Sequence, residues 1–231
     1  AVVKIEAVPK GMRDAILAAE DERFYQHGGV DYVGVIRAAL SNFVSGGARQ
    51  GASTITMQVA RNFFLSKEKT LTRKFTEVLL AFKIEHSLSK DQILELYVNQ
   101  IYLGQRAYGL AAAAQIYFGK PLEQITLAEM AMLAGLPKAP SSFNPVVNPK
   151  RAKLRQQYVL RRMRELNFIS DEQWQAADKQ VLAVKKYVNE YSVKADYFSE
   201  MVRQVMFDRF KDEAYTSGYR VYTTLSVAHQ D

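Results

Sequence analysis

Cysteine is absent from the 231 residues, which excludes a disulfide framework, a thiol nucleophile and thiolate zinc sites. Histidine is nearly as scarce, and His27, His86 and His229 alone do not supply a histidine-built metal cage. Long apolar runs are missing too. The longest stretch without a charged residue, Ala107 to Gly119, has 13 residues, too few to cross a bilayer, so no span is expected in this chain. The opening AVVKIEAVPK has neither an initiator Met nor a basic-then-apolar leader pattern, and the chain is expected to be a trimmed piece of something longer.

What is present is a globular composition. With 48% apolar and 24% charged residues, a chain of this size can bury one sizeable core, as one domain plus an appendage. Basic residues outnumber acidic ones 31 to 24, a net +7, which calls for an anionic partner: nucleic acid, a membrane face or a phosphorylated substrate. The excess is focused. Arg37 to Lys74 holds seven basic residues against Glu68 alone, and Lys150 to Arg164 holds seven with no acid, leaving −6 for the rest. A solvated helix face would explain the second strip equally well. The first is interleaved with the polar run GASTITMQ and is harder to read that way.

Helix signals dominate the chain. Pro9 followed by Met12, Ile16 and Leu17 predicts a helix ending near Glu20. A second is predicted over Asp31 to Val44, then a mobile glycine-rich loop, SGGARQGAS. From Thr70 to Ser87, Leu71, Phe75, Val78, Leu79 and Phe82 trace one apolar stripe, expected to face the core. Capping boxes at Ser89 with Gln92, Thr126 with Glu129 and Ser170 with Gln173 mark three further starts, and Asn148-Pro149 marks a fourth. VVKIEAV and YRVYTTL, at the two ends, alternate as strands do.

Two carboxylates stand out. In EDERFYQHGG, a continuing helix would put Glu20, Phe24 and His27 on one face, and desolvation beside an aromatic ring would raise the Glu20 pKa toward the range of a proton-transferring group. A solvated acidic helix end would look the same. In RKFTE, Arg73, Lys74 and Glu77 lie opposite the apolar stripe and are expected to project together away from the core. An ordinary surface ion pair is one reading. Two cations flanking one acid, with Lys69 and Arg61 nearby, look more like a phosphate site with a carboxylate in it.

EDERFYQHGG, GASTITMQ and RKFTE, within 58 residues, closely resemble the motifs of the peptidoglycan glycosyltransferases, glycosyltransferase family 51. KDQILELYVNQIYLG and YVLRRM resemble that family's other two motifs, and the likeness spans about residues 9 to 166. The remainder resembles bifunctional class A penicillin-binding proteins from their glycosyltransferase domain into the start of the linker: residues 1–8 as an N-terminal strand or linker, 9–169 as the glycosyltransferase domain and 170–231 as a linker region. A transpeptidase domain would follow in such a protein, yet no KTG signature occurs here.

The resemblance implies a mainly α, lysozyme-like two-lobed fold with a small membrane-contacting lobe. It implies polymerisation of lipid II into β-1,4 glycan strands, with inversion at the donor anomeric carbon and release of undecaprenyl diphosphate. Glu20 would be the general base and Asp21, Phe24 and His27 would orient it. Glu77 would serve the donor diphosphate, directly or through a divalent ion, Mg or Mn. Ser53, Thr54, Gln58, Arg61, Lys69, Arg73 and Lys74 would bind that diphosphate and its sugar. The partners implied are lipid II, the nascent glycan chain, the outer face of the bacterial cytoplasmic membrane, an attached transpeptidase domain and the inhibitor moenomycin. Phe43, Val44, Phe63, Phe64 and Leu65 would be either core or the bilayer-dipping lobe. Three positions depart from the family pattern: Met57 stands for a second Gln, Arg61 for a common Lys, and Gln156 for the second Arg of the fifth motif. That motif is expected to be structural, packing Val159, Leu160 and Met163.

Two rivals need different features. A nucleic-acid module needs stacking aromatics or a base-reading helix among the cations, where this chain has Ser, Thr and Gln, so no nucleic acid is expected. A lytic transglycosylase or lysozyme-like hydrolase shares the single Glu but cuts a neutral glycan and needs no diphosphate pocket.

Overall fold

A computed structural model describes residues 2–36, 53–64, 71–185, 196–211, 219 and 221–223. The chain divides into two compact units, Ala1–Lys186 and Tyr187–Asp231.

In the first unit the local signals do much of the work. Helix α1, Lys10–Glu20, starts directly after Pro9 and buries Met12, Ala15, Ile16 and Leu17. The three capping boxes form as read, each with both reciprocal hydrogen bonds, opening α4 (Lys90–Gln100), α6 (Leu127–Gly135) and α8 (Asp171–Lys179). Asn148-Pro149 opens α7, Pro149–Glu165, with Pro149 in the first turn, where its missing N–H has no helical partner to lose. Helices α2 (Ile55–Phe64), α3 (Leu71–Ser87) and α5 (Leu110–Phe118) complete the set, and α5 stops at Gly119, whose φ of 64° is the left-handed cap glycine tolerates best. Residues 32–36 are helical, the start of the predicted Asp31 to Val44 helix. The rest of that helix and nearly all of SGGARQGAS lie outside the described residues.

Helix α6 packs on α1 and α7, and α7 on α1 and α8; α2 packs on α3 and α4. Val159, Leu160 and Met163 are buried in α7, as the fifth motif led us to expect. Gln156 beside them is fully buried and donates to Ala128 O at 2.6 Å. A second arginine there would carry a charge into this α6–α7 contact. The second unit's described helix is α9, Asp196–Phe210.

Two readings are corrected. Residues VVKIEAV form no strand: Ile5–Ala7 is a 3₁₀ turn, and side chains of α4 satisfy its backbone, with Val3 N–H donating to Asn99 Oδ1 and Ile5 N–H to Glu95 Oε2. The described part of YRVYTTL is likewise not strand, and among the described residues the only β pairing is an isolated bridge between Tyr102 and Tyr108. The second correction reverses a helix. On α3, Glu77 is 1% exposed and shares its inward face with Ala81 and Ile84, whereas Phe75 is 65%, Leu79 52% and Phe82 40% exposed. The face that meets α2 and α4 is thus the one carrying Glu77, and the apolar stripe turns outward.

Candidate active site

The end of α1 and the start of α2 are tied together by one side chain. The α1 helix stops at Glu20 because Asp21 leaves the helical region, with φ −161° and ψ 78°, so Phe24 and His27 do not continue the face of Glu20. Instead Asp21 Oδ2 accepts the N–H of Ile55, the first residue of α2, at 3.0 Å, and Asp21 meets His27 Nε2 at 2.9 Å. A buried carboxylate at a helix N-terminus answers an otherwise orphan donor and the positive end of the dipole. Thr54 caps the same helix, its Oγ1 accepting from Met57 N–H and donating to Gly29 O. Phe24 is fully buried in the core.

This staple sets α2 so that Gln58 Nε2 donates to Glu20 Oε2 at 2.9 Å. The other oxygen, Glu20 Oε1, is buried without a hydrogen bond, and Arg155 Nη2 stands 3.6 Å from it. Burial pushes the Glu20 carboxyl above its ordinary range; the Gln58 hydrogen bond and the charges of Arg155, Lys138 and Arg61 oppose the rise without cancelling it. The elevation anticipated from the sequence is present, but its cause is burial in the cleft rather than a helical neighbour at Phe24. Tyr97, from α4, has a buried hydroxyl with no partner, also pushed upward by burial.

Glu20 opens into a cleft of about 240 Å³ lined among others by Asp21, Ser53, Thr54, Gln58, Arg61, Lys138 and Arg155. Four of the expected binding residues, Ser53, Thr54, Gln58 and Arg61, therefore meet at the general-base candidate. Three of the four are already engaged by hydrogen bonds: the Thr54 hydroxyl by the backbone, Gln58 by Glu20 itself and Ser53 by Lys74. Met57 is buried and outside the lining, so its departure from the family pattern does not alter the cleft.

Arg61 connects this cleft to the second carboxylate, its Nη1 lying 4.0 Å from Glu77 Oε1. Lys74 Nζ bridges Glu77 Oε1 at 3.2 Å and Ser53 Oγ at 2.9 Å. Glu77 Oε2 is buried and has no hydrogen bond. Arg73 is half-buried on α3 and does not line the cleft, and Lys69 lies outside the described residues. No cluster of three His, Cys, Asp or Glu side chains exists among the described residues. Glu77 Oε2 would fit as one protein ligand to a divalent ion.

The basic strip on α7 is largely paired with acids of the same chain, for the most part at the surface. Lys153 pairs with Asp178, Arg155 with Glu20, Arg161 with Glu165, Arg162 with Glu22 and Glu165, and Arg164 with Asp171. Among the polar cleft residues that sequence reading left out of the site are Arg155, Lys138, Glu22, Asp31, Tyr158 and Arg162.

The family model described as Transglycosylase matches residues 1–164. The chain is 59% identical over 227 residues to penicillin-binding protein 1A of Neisseria cinerea, covering 98% of this chain and 28% of that protein. It is 53% identical over 224 residues to penicillin-binding protein 1A of Escherichia coli K12, covering 97% and 26%. A crystal structure of penicillin-binding protein 1A from Haemophilus influenzae aligns with a TM-score of 0.53 at 41% identity, over 75% of this chain and 22% of that one. The chain thus spans about 28% of the length of the first of these relatives.

Proposed function

Because the chain belongs to the transglycosylase family, we propose that it polymerises lipid II into peptidoglycan glycan strands, as the glycosyltransferase portion of a longer cell-wall synthase. The observation that carries this reading is Glu20 Oε1: a buried, unbonded carboxylate oxygen with a raised pKa, at the wall of a cleft that also holds Arg61 and Lys138.

In this reading Oε1 takes the proton of the acceptor's GlcNAc 4-hydroxyl as that oxygen attacks the anomeric carbon of the growing chain from the face opposite its diphosphate. The new C1–O4 bond forms with inversion to a β-1,4 link. The bond from C1 to the phosphate oxygen breaks, and undecaprenyl diphosphate departs with the electron pair. Arg61 lines the cleft and, with Lys69 and Arg73 as further donors, would meet the charge developing on that group. Lys74 acts indirectly here, through Glu77 and Ser53. A Mg or Mn ion carried in with the diphosphate would contact Glu77 Oε2 and neutralise part of the leaving group's charge.

Phe63 on α2 and Phe75, Leu79 and Phe82 on α3 are exposed, an apolar surface that suits a chain working against the outer face of a membrane on a lipid-linked substrate. Of the other apolar residues considered for that role, Phe43, Val44 and Leu65, with the Phe64 side chain, lie outside the described residues. Among the described residues no helix is long and apolar enough to cross a membrane. The deciding experiment is incubation of this chain with lipid II, followed by separation of the products. Lipid-linked glycan strands of increasing length are expected. Cleavage of purified strands with no use of lipid II would replace this reading with that of a lytic enzyme.

A further inference from the structure

The fifth motif does more than pack. Arg155 leaves α7 at the edge of its buried face, and its side chain is only 8% exposed. Its Nε donates to Gly135 O at 3.3 Å, and the guanidinium centre lies 4.5 Å from the Tyr158 ring and 5.8 Å from the Phe143 ring. The position also depends on a missing methyl group. A Cβ at Gly135 would fall 2.8 Å from Arg155 Cγ, closer than any side chain tolerates. Gly135 is not in the left-handed region, so the backbone does not demand glycine there; the arginine does.

The 3.6 Å between Arg155 Nη2 and Glu20 Oε1 is close enough for charge to act in a low-dielectric site and too long for a hydrogen bond that would use up the oxygen's lone pair. Other charged or titratable groups face Glu20 from every side: Arg61 on α2, Tyr97 on α4, Lys138 after α6, and Asp21 next in sequence. Lys138 is exposed and screened by water, and Arg61 is shared with Glu77. Arg155 is the one cation of this set that is itself buried.

We propose that Arg155 is the positioning residue of Glu20: seated by Gly135, Tyr158 and Phe143, it leaves Oε1 without a hydrogen bond and holds the group as a carboxylate despite its burial. The role of that carboxylate as general base rests on the function proposed above; its control by Arg155 does not.

The test follows the ¹³C carboxyl resonance of Glu20, assigned by its loss in Glu20→Gln, through a pH titration of this chain. In Arg155→Gln the titration moves to higher pH, and Arg155→Lys restores most of the difference. Gly135→Ala, which keeps every charge but displaces the guanidinium, moves it partway in the same direction. The acid limb of the lipid II polymerisation rate follows in each variant. An unmoved Glu20 titration in folded Arg155→Gln overturns the assignment. Should that variant lose its helical circular dichroism, a wild-type titration in Gly135→Ala overturns it instead. If the titration moves while the acid limb stays, Arg155 keeps its role and Glu20 is not the base.

Discussion

Replacing Glu20 by Gln should lower turnover and raise stability, two effects of opposite sign from one atom. Gln preserves the acceptor that Gln58 Nε2 reaches at 2.9 Å and puts an amide nitrogen where Oε1 now lies unbonded. That nitrogen cannot take a proton. Removing a general base costs about 10² to 10⁴ in rate, or roughly 2.7–5.4 kcal/mol of barrier. The stability effect follows from linkage. The folded-state pKa of Glu20 lies above the ordinary value of 4.5 because of burial, so the folded protein binds this proton more tightly than the unfolded chain does. Ionisation therefore costs folding free energy: nothing below pH 4.5, increasing as pH rises, and in full above the raised pKa. The variant has no such cost. Urea melts of both proteins from pH 4 to 8 should show the stability difference moving in favour of Glu20→Gln as pH rises. Lipid II turnover at pH 7.5 should fall at least about a hundred-fold. Near-normal turnover would refute Glu20 as the base, and a difference independent of pH would refute the burial argument.

Three further outcomes are expected, the first and third from this geometry and the second from the family resemblance. Asp21→Ala leaves the buried Ile55 N–H unpaired, at about 1–3 kcal/mol, and removes an anion from the α2 N-terminus, at about 1 kcal/mol; a urea midpoint equal to wild type would show that Asp21 is not the staple between α1 and α2. Arg73→Ala should weaken moenomycin binding markedly in a fluorescence titration, and an unchanged affinity would put the antibiotic's phosphate elsewhere. Glu77→Gln should change donor affinity or its response to Mg, because Lys74 and Arg61 lose the buried charge they share; a variant with wild-type values for both would remove Glu77 from the diphosphate site.

Helix starts were legible in the sequence because they are local. A Ser or Thr three residues before a Gln or Glu makes its own pair of hydrogen bonds wherever the chain goes, and Pro9 and Pro149 need only their own ring. The facing of α3 was not. The Phe75, Leu79 and Phe82 stripe on α3 shows that one face is apolar, but periodicity does not say what that face meets. Assigning it to the core turned Glu77 outward, when Glu77 is among the most buried acids of the described residues. An apolar face finds the core only when no other apolar phase competes for it, and the function proposed above, on a lipid-linked substrate, would put such a phase beside this face. The charge on α7 misled for a related reason. The strip is basic in sequence, yet Glu20 and Glu22 neutralise part of it from about 140 positions away, a distance no local window covers.

The active site divides along the same line. Glu20, Asp21, Gln58 and Arg61 were found because each sits inside a short motif whose residue types already suggest proton transfer and anion binding. Arg155 sits inside a motif as well, but its neighbours Gln156, Val159, Leu160 and Met163 are all core, and a helix whose spacing is accounted for by packing gives no reason to look for chemistry. What makes Arg155 part of the site is the approach of α6, where Gly135 leaves room for its side chain, together with the end of α1, where the helix stops just as Glu20 enters the cleft. Neither fact belongs to the motif. A side chain acquires such a role when the core residues around it fix its distance from the reacting group, so the packing that made this motif look structural is what gives Arg155 its place.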